Sequence, residues 1–479
     1  MGKHQQNIED INFIAHEISK FSSMTLEDFK THIKQQPANF LYTLELPSGQ
    51  HIQIGREAAL RFNSMAKRYC KLHPYIIDEL SLERAIKTEF VKTFIEDKRP
   101  IEIKFIDRML NNAVKRNQIT HKAITHYLSC VIIITPNFEP NEFKIGPVRF
   151  ITTKKFFMNY GSKIEADYAS YTQHSQQTIK QEKLEANHQL LKEEPATEES
   201  AKSSGGLITS IYDCYKSYIW VAEITVPICD EKISREKALR TVQGALDILK
   251  LFFGHRHGHD LRIGYDTARP EHTATITRTS DGMFHYEFGY HGAGAYANSN
   301  WYSDIVSHNG LYLAGAGNAI EGYLKPEIKS EHRDRWLRAL NWCGQAISDN
   351  IPAFQLVKYV AALECLTVTP ADKECGVTDI VTRRTALLIA QGSGDDVFKK
   401  TYAAARKIYR FRSDLMHGRV SPTGKDVENV MPLAHQIGQE VMFAALGLFG
   451  YLEMNGRTSS RELFDQYREL EKQRHIEEK

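Results

Sequence analysis

Tyr409-Arg410-Phe411-Arg412-Ser413-Asp414-Leu415-Met416-His417-Gly418 closes a long helical pattern that begins near Asp396. At about 100° per residue, Ala405, Ile408 and Leu415 fall on one face, with Arg412 among them. The pattern points a cation at an apolar seam, which is costly unless an acid or a ligand meets it. Gly418 suits the left-handed position just beyond a helix, which makes His417 the last residue of the helix. An imidazole can take a proton from a ribose 2′-OH or return one to a departing 5′-oxygen. A nearby guanidinium can hold the phosphate between those two oxygens. Since one His does not readily serve as both acid and base in one turnover, the pattern points to two copies facing each other. Taken alone, an Arg and a His five positions apart are more often a surface pair or a helix-capping His.

The neighbouring segments are helical as well. Stripes at Trp336/Leu340/Cys343/Ile347, Pro352 to Val368, Thr378 to Ile389, and Asp426 to Glu453 are separated by short turns containing Gly, Asn and Pro. With 396–417 they form a five-helix pattern over residues 329–456, an all-α class distinct from what precedes it. On Pro352 to Thr367, Leu356, Val357, Val360, Ala361 and Leu363 share one arc, and Gln355, Lys358 and Ala362 lie opposite. Glu364 falls inside the apolar arc. Arg384 lies four residues after Ile380 and four before Leu388, again on an apolar stripe. An inward Glu364–Arg384 pair is the economical arrangement, and snorkelling of either side chain to the surface is the alternative.

Four of these pieces, in order, resemble the Apea-type branch of the HEPN superfamily. They are Trp336 to Ile347, Val357 to Glu364 with its Leu-Glu, Arg384-Thr385-Ala386-Leu387-Leu388, and Tyr409 to Gly418 with Arg-x4-His-Gly. The resemblance spans roughly 120 of 479 residues. It implies a homodimeric helical bundle whose composite site holds two copies of Arg412 and His417. It also implies metal-independent endoribonuclease activity leaving 2′,3′-cyclic phosphate and 5′-hydroxyl ends. The expected substrate is RNA, tRNA or another cellular RNA, with no cofactor. The implied role is anti-phage abortive infection or toxicity, with a phage-derived trigger or inhibitor as a further partner. A non-catalytic module that dimerises and binds RNA or nucleotide is the alternative. Glu364 and Arg384 would hold the helices that aim the site. Many such sites carry Asn directly after the Arg; here Ser413 stands there, followed by Asp414. Arg406, Lys407, Arg410 and Arg419 lie beside the motif, where cations could track an RNA backbone.

Before residue 329 the patterns are mixed α/β, so the expected class is multidomain, with N-terminal α+β modules followed by the helical bundle. Residues 1–163 begin with alternation at Asn39 to Leu46, a turn at Pro47-Ser48-Gly49, and renewed alternation at Ile52 and Ile54, which together signal a hairpin. Helical patterns follow at Arg56 to Leu72 and Glu79 to Ile95. The apolar run Ser129 to Thr135 reads as a strand buried on both faces. Ile164 to Gly206, rich in Gln, Glu, Lys and Ser, reads as a charged linker. Residues 207–328 hold a strand at Tyr218 to Val226 and a helix capped by Ser234 with the stripe Leu239, Val242, Leu246, Leu249. Strand-like pieces follow at Leu261 to Tyr265, Thr273 to Thr279 and Phe284 to Tyr290, the last two joined by Ser280-Asp281-Gly282. The tail 457–479 reads as a charged, peripheral helix.

The totals set limits. A net charge of +2 announces no global preference for nucleic acid, so any RNA contact must be local. The N-terminus has no signal-peptide pattern, and no apolar run approaches the roughly 20 residues of a membrane span. Seven scattered cysteines without a C-x-x-C pair argue against a disulfide framework, and the expectation is a cytoplasmic protein. Gly254-His255-Arg256-His257-Gly258-His259-Asp260 places three His at alternate positions. On a strand they would share a face and suit zinc, whereas the glycines favour a loop, either inert or contacting RNA. Gly315-Ala316-Gly317 lacks the third glycine and the βαβ setting of a dinucleotide loop, and Gly292-Ala293-Gly294-Ala295 reads as a loop. Lys67, Arg68 and Lys71 read as a solvated helix face.

Overall fold

The structure, a computed structural model, describes residues 3–25, 42–46, 49–135, 139–164, 214–264, 272–278, 284–290, 294–372, 376–450 and 456–474, with positions 27, 28, 31, 34, 166 and 454 between them. The chain is mostly helical, and its described strands all precede residue 297. It divides into two compact units, residues 1–125 with 225–238, and residues 126–224 with 239–479.

The first unit contains α1 (Lys3–Ser22), β1 (Tyr42–Glu45), β2 (His51–Ile54), α2 (Arg56–Cys70), α3 (Glu79–Phe90) and α4 (Ile103–Ile119). The expected hairpin is present, pairing Tyr42 with Ile54 and Glu45 with His51. Ile11, Ile14, Phe62, Ile86 and Leu110 are among the residues of its core. Asp78 caps α3 by accepting from the Leu80 and Ser81 backbone, as a short acid ahead of an apolar stripe should. Arg68 is no solvated cation: it and Arg61 converge on the buried Asp10 at 2.5 and 3.0 Å. Lys67 and Lys71 are exposed, as expected, and Lys67 reaches Glu79 at 3.5 Å.

β3 (Lys122–Val131), β4 (Ile133–Ile134), β5 (Glu142–Ile145), β6 (Val148–Thr152), β7 (Trp220–Cys229), α5 (Glu231–Gly258) and β8 (Arg262–Ile263) come next. The sheet order is β5-β6-β7-β3-β8, with β5–β6, β6–β7 and β3–β8 antiparallel. Cys130 to Ile133 is fully buried, as its unbroken apolar run requires. β9 (His272–Arg278) and β10 (Phe284–Tyr290) form a separate antiparallel pair, and β11 (Ala295–Tyr296) runs parallel to β4. The turn at 280–282, the pair Gly292-Ala293 and all but Ile164 and Ala166 of the 164–206 segment lie outside the described residues.

Two expectations for α5 are corrected. Asp230, not Ser234, starts the helix: its side chain accepts from the Lys232 backbone and its carbonyl from Ser234, which is itself fully buried. The histidine run is not a loop. Gly254 kinks the helix at φ +67°, and the chain resumes helical form to Gly258. Alternate residues on a helix point about 200° apart, so His255 and His257 do not share a face. The following helix, α6 (Trp301–Ile320), contains Gly315-Ala316-Gly317 in its interior. A Cβ at Gly317 would sit 2.8 Å from the Gly146 nitrogen, so this glycine serves close packing against the β5–β6 turn.

The remainder is helical: α7 (Glu331–Ser348), α8 (Pro352–Thr367), α9 (Val377–Ile389), α10 (Asp395–Met416), α11 (Lys425–Phe449) and α12 (Ser460–Gln473). Trp336, Leu340, Leu356, Val360, Ile380, Leu387, Ala405, Ile408, Val441 and Leu446 are all buried, as their helical spacing requires. On α8 the buried face is turned from the expected arc: Gln355 and Ala362, read as lying opposite it, are buried, whereas Val357 and Ala361 are half-buried, because neighbouring helices cover both sides of α8. Trp336 Nε1 also donates to the Met442 carbonyl at 3.0 Å, satisfying the indole inside that core. The tail helix α12 begins with a Ser459–Glu462 capping box. It is not peripheral, because Leu463, Tyr467 and Glu471 are buried.

Candidate active site

The end of α10 sets the geometry. Gly418 takes φ +71°, its N–H donates to Leu415 at 3.2 Å, and the Arg419 N–H donates to Asp414 at 2.8 Å. These two bonds make a Schellman turn, which stops the helix and satisfies its last carbonyls. His417, the residue before the turn, is exposed, and its ring has no hydrogen-bond or ion-pair partner among the described residues. The Arg419 side chain returns to Asp414 at 3.1 Å, so Asp414 is engaged at this turn.

One and a half turns earlier, Arg412 is half-buried, and its Nη2 lies 3.6 Å from Glu364 Oε1 on α8. That separation is an ion pair but longer than a hydrogen bond. Arg412 Nε is shielded from solvent and has no acceptor among the described residues. Tyr409, one turn back on the same face, donates its hydroxyl to the same Glu364 oxygen at 2.9 Å. The Arg412 Cζ sits 5.7 Å from the centre of the Tyr409 ring, within cation–π range. Burial first, and then the hydrogen bond to Glu364, push the Tyr409 phenol above its ordinary range, so it remains a donor.

The expected Glu364–Arg384 pair does not form. Arg384 is fully buried and closes on Asp372, Nη1 to Oδ2 and Nη2 to Oδ1, both at 2.7 Å. Nη1 also donates to the Thr367 carbonyl at 2.7 Å, and Nε faces Glu471 of α12 at 3.6 Å. Burial acts to raise the Asp372 carboxyl, but the Arg384 bonds and the Thr369 backbone outweigh it and hold the group below its usual range. The physical reason for the exchange is reach: Asp372 lies in the α8–α9 connection, directly over Arg384, whereas Glu364 opens toward α10. Asp372 is satisfied by Arg384, whereas Glu364 accepts from Tyr409 and faces Arg412 beyond hydrogen-bond distance.

The two charges therefore have different environments within one bundle. Arg384 is a buried structural fork with its acid at hydrogen-bond distance. Arg412 is half-exposed, with its guanidinium making no hydrogen bond among the described residues. Arg406, Lys407 and Arg410 are exposed and carry no ion pair there either, leaving a row of unneutralised cations along α10. Ser413 is half-buried, and its backbone carbonyl accepts the His417 N–H at 3.0 Å.

Asp372 and Tyr409 gave signals that were not weighed in the sequence. Thr369-Pro370-Ala371-Asp372 has the spacing of a local cap, and Asp372 indeed accepts from both the Thr369 nitrogen and hydroxyl, at 2.7 and 2.8 Å. Tyr409 lies three residues before Arg412, the spacing that puts two side chains on one helical face. Glu471, by contrast, is brought to Arg383 and Arg384 from far along the chain, and nothing local foretells it.

The histidine run forms no ligand set: among the described residues no group of three His, Cys, Asp or Glu side chains could hold a metal ion. His255 instead stacks on His435 of α11, ring centres 4.2 Å apart, and His259 pairs with Asp260 at 3.1 Å. No described helix is long and apolar enough to cross a membrane.

Compared with models of protein families, with curated proteins and with solved structures, the chain finds no match in any of the three.

Proposed function

We propose that the helical bundle is a metal-independent endoribonuclease of the HEPN type, acting as a homodimer on cellular RNA such as tRNA. The observation that carries this reading is Arg412. Among the described residues it is a half-buried guanidinium with no hydrogen bond of its own, on the helix whose turn presents an exposed His417 that has no partner there either. A buried cation is normally matched by close acceptors, and a phosphate is the ligand that a planar fork of donors fits best.

In the proposed reaction the 2′-oxygen attacks phosphorus, the bond from phosphorus to the 5′-oxygen breaks, and a 2′,3′-cyclic phosphate and a 5′-hydroxyl result. One His417 takes the 2′-OH proton and the His417 of a second copy returns a proton to the 5′-oxygen. Arg412 balances the charge gathering on the non-bridging oxygens. Arg406, Lys407 and Arg410 hold the flanking backbone, with a contribution that falls as salt rises. Within this reading the protein is cytoplasmic, needs no cofactor and serves anti-phage defence or toxicity, released by a phage-derived trigger.

The same exposed cations favour a second reading, a bundle that dimerises and binds RNA or nucleotide without cleaving it. Incubation with total RNA in EDTA, followed by sequencing of the ends, separates the two. Cyclic-phosphate and 5′-hydroxyl ends dependent on the protein support the nuclease. Salt-sensitive binding without new ends supports the second reading.

A further inference from the structure

The bundle holds an internal comparison between two arginine–carboxylate pairs. Arg384 meets Asp372 through two bonds of 2.7 Å with nothing between them. Arg412 stops 3.6 Å from Glu364, although both side chains are only partly covered. The difference is Tyr409. Its hydroxyl donates at 2.9 Å to Oε1, the very oxygen that faces Arg412 Nη2, and its buried ring lies beneath the guanidinium.

We propose that Tyr409 is a positioning residue that keeps Glu364 from closing on Arg412 and so leaves the guanidinium's donors available for a phosphate. The inference rests on the ribonuclease reading for its purpose, but its physical content concerns the contacts among Tyr409, Glu364 and Arg412. By satisfying part of Oε1 and anchoring the carboxylate, the phenol removes the incentive for a charge-assisted hydrogen bond from Arg412. The ring meanwhile holds the guanidinium by cation–π attraction, which is weakly directional and lets the fork turn outward. Glu364 supplies long-range charge balance, so that Arg412 is tolerated at a half-buried position when no phosphate is bound.

Tyr409→Phe keeps the ring and deletes only the hydroxyl. Without it, Glu364 and Arg412 should close to hydrogen-bond distance. Labelling of Arg412 by phenylglyoxal, followed by mass spectrometry of the peptide, reads this without any RNA. The account predicts that Tyr409→Phe slows labelling of Arg412 about tenfold or more, the equivalent of one charge-assisted bond. Adding Glu364→Gln to Tyr409→Phe should restore the rate, because the amide cannot hold the cation. A purely structural role for Tyr409 predicts faster labelling in Tyr409→Phe and no rescue. Unchanged or faster labelling in Tyr409→Phe overturns the proposal.

Binding of a short oligonucleotide carrying 2′-deoxyribose at every position, followed by fluorescence anisotropy, tests the reading beneath it. If the full-length protein binds it no better than Arg412→Ala does, the phosphate role of Arg412 fails, whatever the labelling shows. If Arg412 matters and Tyr409→Phe weakens binding by a similar factor, with recovery in the double variant, both stand.

Discussion

The Arg384 guanidinium closes on the Asp372 carboxylate through two hydrogen bonds of 2.7 Å, with both side chains almost wholly withdrawn from water. Removing one member leaves the other charged and buried. Asp372→Ala should therefore destabilise the bundle by about 3–5 kcal/mol. Arg384→Lys should lose most of the same energy, since an ammonium cannot reproduce the fork. Urea unfolding followed through tryptophan fluorescence checks both. A loss below roughly 1 kcal/mol in Asp372→Ala would show that the pair is not formed.

Glu471 is the link from the tail helix to the same region, 3.1 Å from Arg383 and 3.6 Å from Arg384. Arg474, at the end of that helix, donates to the Ala390 and Ser393 carbonyls and so closes the far end of α9. Glu471→Ala should cost about 2–4 kcal/mol, because it leaves the neighbouring cations short of an acid. Hydrogen exchange at α9 should accelerate more than exchange at α11. Equal exchange in α9 for the variant and the parent would rule out the clamp.

Gly418 holds φ +71°, and a Cβ built there meets nothing within 4 Å. Gly418→Ala therefore carries a backbone penalty alone, about 1 kcal/mol. Because that turn presents His417, RNA cleavage should fall several-fold while the melting temperature drops by only a few degrees. Parental cleavage in a Gly418→Ala protein destabilised by this amount would separate the turn from the proposed chemistry.

His435 gives the expected pH dependence. Burial, and then the stacked ring of His255, hold its imidazole down at about 4 against an ordinary value of 6.5. Tyr359 packs edge-on at 5.4 Å, and Gln355 Oε1 lies 3.3 Å from Nε2, so neutral neighbours face it from α8. Gln439, one turn along α11, donates to the Leu251 carbonyl beside the Gly254 kink. The unfolded chain takes up the His435 proton at a higher pH than the folded one. The associated stability is therefore intact above about pH 6.5 and is lost as pH falls to about 4. Partial solvent access limits the loss to roughly 2–3 kcal/mol. Unfolding free energies at pH 7 and 4.5 should differ less in His435→Phe than in the parent. An identical pH dependence in both would remove His435 as the cause.

Much of the bundle was readable from spacing. Trp336, Leu340, Leu356, Val360, Ile380, Ile408 and Leu446 recur at helical intervals, and all are buried. The helix end at Gly418 was readable for a local reason, since only that residue type accepts its backbone angle without penalty. Partner choice was not. A helical wheel shows that Glu364, Arg384 and Arg412 face inward but not how far each helix is rotated against the next. The loop acid Asp372 and the distant Glu471 took Arg384 for that reason, and Glu364 was left to Tyr409 and Arg412. The histidine run misled because its two glycines look like a loop, whereas one of them only kinks a helix that then resumes.

The most direct measurement is the rate of RNA cleavage in EDTA by the parent, His417→Ala and Arg412→Ala proteins, each shown to be folded and of the same oligomeric state. The account predicts at least a hundredfold loss in both variants, in line with removal of an acid–base group or a charge-stabilising donor. Undiminished cleavage by either folded variant would contradict it.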